Sequence, residues 1–110
     1  MKAEAIKDAV VTALENLKGK DITVLDVRKL TGITDYMVMC SGTSNRHVKS
    51  LAENVEVELK KAGQPPMGTE GAQVSDWVLV DLGDVIVHVM TSEARAFYDL
   101  ERLWSTSAKA

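Results

Sequence analysis

Cysteine occurs once, at Cys40, in a chain of 110 residues. Neither an internal disulfide nor a cysteine-rich zinc site can be built from it. Cations are also in short supply: 13 Lys and Arg stand against 16 Asp and Glu, a net charge of -3. Proteins that hold nucleic acid through its phosphates need clustered cations, because counterion release drives that binding. Here the basic residues are scattered, and sequence-specific nucleic-acid binding is not expected. Long apolar runs are missing as well. Lys2, Glu4, Lys7 and Asp8 break up the N-terminal stretch that a signal peptide would keep apolar. No segment approaches the roughly 20 apolar residues of a membrane span. The expectation is a cytoplasmic protein with no membrane partner.

What is present suits one compact domain. Hydrophobic residues make up 45% and charged residues 26%, enough to fill a core without any sign of disorder. Ile6, Val10, Ala13, Leu14 and Leu17 recur at helical spacing, which predicts a helix over residues 2–18 with Gly19 as its cap. Residues 22–27 are rich in β-branched types and read as a strand, and 36–41 as a second, mostly buried one. Thr43 or Ser44 then opens a long helix with a stripe of Val48, Leu51, Ala52, Val55 and Leu59. Gly63 ends that helix and Pro65-Pro66 forbids its continuation. A short strand is expected within 67–71, two more at 76–82 and 85–90, and a last helix from Ser92 to Trp104. The fold class is therefore α/β, a single domain over residues 1–104 with a mixed sheet. Residues 105–110 read as a flexible tail.

The hairpin carries the most information. A two-residue loop at Gly83-Asp84 suits a primed turn and fixes the register. Leu82 pairs with Val85, Asp81 with Ile86, Val80 with Val87, Leu79 with His88, Val78 with Val89 and Trp77 with Met90. Alternation then puts Val78, Val80, Leu82, Val85, Val87 and Val89 on one aliphatic face, which must lie under the helices. The other face collects Trp77, Leu79, Asp81, Ile86, His88 and Met90. Burying Asp81 and His88 without partners would cost several kcal/mol, on the order of a lost hydrogen-bonded group each. Part of that face should be open, with Trp77 and Met90 carrying apolar area to solvent, as binding surfaces do. The other reading makes Trp77 ordinary core under the last helix. On that helix Phe97, Leu100, Leu103 and Trp104 form the expected buried stripe, while Tyr98 points to the side of Arg95 and Arg102, either as a second exposed anchor or as an ordinary partly buried surface tyrosine.

Catalytic readings are weak. Gly42-Thr43-Ser44 after a strand could cradle a phosphate at a helix start, with Arg46 near it. Nucleotidyl transfer also needs two carboxylates on one face to hold metal ions, an Asp-x-Asp spacing on a strand. None follows. Glu53 and Glu56 belong to the helix, and Asp81 and Asp84 to opposite ends of a turn. Cys40 reads as a small buried hydrophobe, and His47 and His88 as structural hydrogen-bonding groups. No catalytic residue, metal ligand or cofactor is expected. Glu70, Asp76, Asp81 and Asp84 make the surroundings of Trp77 acidic, which complements a basic protein.

Several segments together resemble the ribosomal silencing factor family, also called Iojap. They are Ile33-Thr34-Asp35-Tyr36, Ser41-Gly42-Thr43-Ser44 with Arg46-His47-Val48, and Glu70-Gly71. The run from Asp76 to Val89 resembles the family's signature, and that from Phe97 to Trp104 its terminal helix. The likeness extends from about Leu17 to Trp104. It implies a mixed five-stranded sheet flanked by helices and related to nucleotidyltransferases, a homodimer, and binding to large-subunit ribosomal protein fourteen. Occupying that protein would stop the ribosomal subunits from joining and repress translation when nutrients are scarce. Partner-binding residues are then expected among Glu70, Asp76, Trp77, Leu79, Asp81, His88, Met90 and Tyr98. Two departures from the family pattern are Leu82 and Met90, where aromatic residues are common. Only Met90 lies on the face expected to bind. A ribosome assembly factor is the other non-enzymatic reading, separable because it would leave the mature subunit.

Overall fold

The computed structural model describes residues 1–71, 76–100 and 102. Its elements run α1 (Ala3–Asn16), β1 (Lys20–Asp26), β2 (Tyr36–Gly42), α2 (Asn45–Lys61), β3 (Gly68–Glu70), β4 (Trp77–Asp81), β5 (Val85–Thr91) and α3 (Ser92–Tyr98). The strands form one five-stranded sheet in the order β1-β2-β5-β4-β3. It is mixed: β2 and β5 are parallel, while β1 with β2, β4 with β5 and β3 with β4 are antiparallel. The expected α/β class and mixed five-stranded sheet are what the structure has.

α2 follows its sequence pattern closely. Ser44 Oγ accepts from His47 N–H at 3.1 Å as the N-cap, and the five residues of the expected stripe are the five that are buried. Gly63, at φ +86°, closes the helix. Gln64 N–H reaches Leu59 O, and Gly63 N–H reaches Lys60 O, the paired bonds of a glycine-terminated helix. α1 ends differently from expectation. Lys18, not Gly19, takes the left-handed position (φ 59°), and Leu17 is left partly exposed beyond the last turn. Gly19 serves a close approach instead. A Cβ there would come within 2.5 Å of Cys40 Sγ, so the missing side chain lets the chain leave α1 against the buried β2.

The hairpin register is the expected one, from Trp77 opposite Met90 to Asp81 opposite Ile86. Gly83 takes positive φ (+82°), and Asp84 N–H bonds back to Leu82 O (3.1 Å) while Leu82 N–H reaches Val85 O (2.9 Å), so the expected primed turn is replaced by a tight three-residue turn centred on the glycine. The aliphatic face packs beneath α1 and α2. Val78, Val80, Leu82, Val85, Val87 and Val89 are all buried in one cluster with the helix stripes. Leu82, one of the two departures, is therefore core. On the opposite face a smaller cluster of Val27, Met37 and Met39 is joined by Leu25, Leu30 and Leu100. β2 lies between the two and is buried along its whole length.

α3 is where expectation and structure part. α3 ends at Tyr98, where Asp99 turns into the left-handed region at φ 50°, and Leu100 and Arg102 beyond the break are again helical. Phe97 is not in a buried stripe but 82% exposed. Arg95, expected on the outer side, is buried. The face bearing Arg95 and Tyr98 is the one turned to the sheet, because the guanidinium finds acceptors there. Arg95 Nη1 donates to Asp21 O (2.6 Å) and Ser41 Oγ (2.9 Å), and Nη2 to Thr23 Oγ1 (3.0 Å). Leu103, Trp104 and the tail 105–110 lie outside the described residues, as does the expected extension of the helix beyond residue 102.

Candidate functional site

The mixed face of the hairpin is graded rather than open. Trp77, Leu79, Asp81 and Ile86 are half-buried, whereas His88 and Met90 are buried. The expectation that Met90 carries apolar area to solvent is therefore corrected. β5 is an inner strand with β2 on one side and β4 on the other, and α3 continues directly from its end. Met90 is wholly enclosed, so the Met90 departure does not reach the surface. The same location corrects His88, which cannot be an exposed contact.

His88 is buried because it has the partner whose absence would have forbidden burial. Trp77 Nε1–H donates to His88 Nδ1 at 3.1 Å. An indole nitrogen can only donate, so Nδ1 is the acceptor and the imidazole is neutral with its proton on Nε2. Burial alone pushes the His88 pKa down to about 4, in keeping with that neutral form. Asp81 remains half-buried, and its Oδ1 accepts from Gly83 N–H at 2.8 Å, bracing the turn.

Trp77 is neither free nor core. Its ring stands 5.9 Å from that of His88 and 4.5 Å from that of Tyr98, tilted by 47° to each. Tyr98 is 48% exposed and meets Phe97 edge-on at 5.1 Å. An aromatic ridge thus runs from β4 to the end of α3, and Phe97 is the member that helical periodicity misplaced. Asp99 carries no glycine or proline signal that would have ended the helix earlier in a reading of the sequence.

The other candidates lie on either side of this ridge. Glu70, Gly71, Trp77 and Leu79 line a shallow depression of about 270 Å³. Glu70 is exposed at its rim, opposite Leu79 in the β3–β4 register. On the far side is a cleft of about 650 Å³ whose walls include Gly42, Ser44, Asp76, Glu93, Phe97 and Tyr98. Six of the eight expected residues (Glu70, Asp76, Trp77, Leu79, Asp81 and Tyr98) are half-buried or exposed, while His88 and Met90 are buried.

The phosphate-cradle reading fares poorly in that cleft. Thr43 N–H is taken by His47 Nδ1 (2.9 Å), and His47 N–H by Ser44 Oγ. Asp76 and Glu93 put carboxylates on the same walls, which repel a phosphate. His47 Nε2 reaches Leu17 O at 2.8 Å and ties the start of α2 to the end of α1, the structural role expected of it. Glu56 Oε2 accepts from Thr69 Oγ1. Burial pushes the Cys40 thiol up to about 11, far from a reactive thiolate. Among the described residues, no group of three or more His, Cys, Asp or Glu is placed to hold a metal ion.

An aromatic ridge with acidic flanks on a small α/β domain has the composition found at protein-binding surfaces. Comparison with known proteins gives the family. The model of the family described as "Ribosomal silencing factor during starvation" matches residues 1–110. The ribosomal silencing factor RsfS of Chromobacterium violaceum is 49% identical over 104 residues, 94% of this chain and 85% of that protein. That of Haemophilus influenzae is 46% identical over 101 residues, 92% of this chain and 99% of that protein. A crystal structure of a Chromobacterium violaceum protein superposes with a TM-score of 0.94 at 48% identity, covering 96% of this chain and 88% of the other. The chain belongs to the ribosomal silencing factor family, whose role is regulation of translation. No helix among the described residues is long and apolar enough to cross a membrane.

Proposed function

We propose that this protein silences ribosomes by occupying large-subunit ribosomal protein fourteen and thereby blocking, sterically, the joining of the small and large subunits. The observation that carries the contact surface is the half-buried Trp77, held between His88 and Tyr98 on an otherwise polar-rimmed face. A fixed tryptophan with apolar neighbours and a charged rim is the usual anatomy of a binding hot spot. Glu70, Asp76 and Asp81 along the ridge favour a basic partner and speed its approach. Leu79, Ile86, Tyr98 and Phe97 supply the remaining apolar area. The protein acts by occupancy, without catalysis, cofactor or metal, in the cytoplasm and as a homodimer.

Occupancy has a quantitative consequence: inhibition follows the fraction of large subunits bound. Light scattering of purified subunits, with increasing amounts of the protein added before mixing, should show joining fall in step with occupancy. Inhibition of a large excess of subunits by trace protein would contradict the mechanism. Sedimentation of mature large subunits should carry the protein along, which an assembly factor that leaves on maturation would not do.

A further inference from the structure

His88 occupies a row in which a histidine has no packing advantage. Its lateral neighbours are Leu79 on β4 and Met39 on β2, and Met39 is completely enclosed. Leucine or methionine would fill that place at no desolvation cost. What an imidazole adds is one acceptor nitrogen that carries no charge. A carboxylate would also accept, but its charge would be expensive in this position.

That acceptor is spent on Trp77. The two residues are not directly opposite but diagonal, since Trp77 faces Met90 and His88 faces Leu79. Diagonal neighbours on a sheet lie about 7–8 Å apart, within reach only of long side chains. The indole must therefore lean along the strand to donate at 3.1 Å. With this bond made, the ring stands 4.5 Å from that of Tyr98. Without the acceptor, the indole N–H would be unsatisfied in a half-buried place and would turn to water instead.

We propose that His88 is a positioning residue of the docking surface: from within the sheet it holds the Trp77 indole against Tyr98, presenting the ring ready-placed without itself touching the partner. This rests on the docking reading above and deepens it. Fixing one side chain before binding removes its ordering cost from the binding step, an effect of up to about tenfold in affinity. The depressed pKa of His88, about 4, keeps the acceptor available throughout the neutral range.

The test combines a spectroscopic and a binding readout on the full chain. The sequence holds two tryptophans, so a 15N-labelled sample gives two indole N–H signals, and Trp77→Phe assigns one. In the parent the Trp77 signal should be protected from solvent exchange. His88→Leu should abolish the protection and weaken binding to large ribosomal subunits about tenfold. His88→Asn, whose side-chain oxygen stands near the place of Nδ1, should restore much of both. In a Trp77→Ala background, His88→Leu should cost no further affinity. Free exchange of the parent indole N–H would overturn the proposal, even if neither His88 variant folds. So would parent-like binding by a folded His88→Leu protein while Trp77→Ala has lost it. Normal binding by Trp77→Ala would instead sink the docking reading, leaving the indole exchange to report on the His88 bond alone.

Discussion

The two faces of the sheet are built by different rules. The face under α1 and α2 is closed mainly by repetition: valines on β4 and β5 meet aliphatic stripes from two long helices. The opposite face is closed by particular pairs. Arg95 reaches Ser41 and Thr23, Trp77 reaches His88, and Tyr98 stands on Trp77. Burial by repetition gives stability that depends little on any one partner. Burial by pairing leaves some area unfilled and holds it in a defined shape, which is what a recognition surface requires.

The largest effect should come from the repetitive face. Leu51 is fully buried there, and Leu51→Ala should cost about 2–5 kcal/mol in urea unfolding, through lost transfer energy and the cavity left behind. Acid should strain the paired face instead. His88 has a folded pKa of about 4 against 6.5 in the unfolded chain, so the unfolded state takes up the proton first. Its contribution is complete above pH 6.5 and is lost as pH falls through 6.5 toward 4, on the order of 3 kcal/mol in all. Thermal unfolding across that window should be flatter in His88→Asn than in the parent. An equal slope in both would show that His88 does not titrate as buried. Arg95→Met should cost about 2 kcal/mol, because Ser41 loses a charged donor inside the protein. Phe97→Ala, at the exposed end of the ridge, should shift stability by no more than about 0.5 kcal/mol. A loss of about 3 kcal/mol or more would return Phe97 to a buried stripe.

The difference between the faces also explains what the sequence made legible. α2 and the aliphatic face follow from periodicity, since each residue's place depends on neighbours a few positions away. The hairpin register follows from the Gly83-Asp84 turn. The paired face depends on contacts that periodicity does not encode: Arg95 meets Ser41 across 54 residues and Thr23 across 72. Arg95 is therefore expected on the outer side and Phe97 in the core, the reverse of what the structure has. Trp77 stands out in the hairpin pattern, but its half-buried state depends on the end of α3 at Tyr98 and on His88 accepting from it. Lys18 as the left-handed residue of α1 was hidden by the glycine next to it.

We propose that Trp77 belongs to the surface that recognises the ribosome. Trp77→Ala, measured for both stability and binding to purified large subunits, tests it most directly. The protein should remain folded, losing about 1–2 kcal/mol with the indole hydrogen bond and part of its packing. Binding should weaken about thirty-fold or more, the mark of a truncated hot spot. A folded Trp77→Ala protein that sediments with large subunits as the parent does would contradict the account.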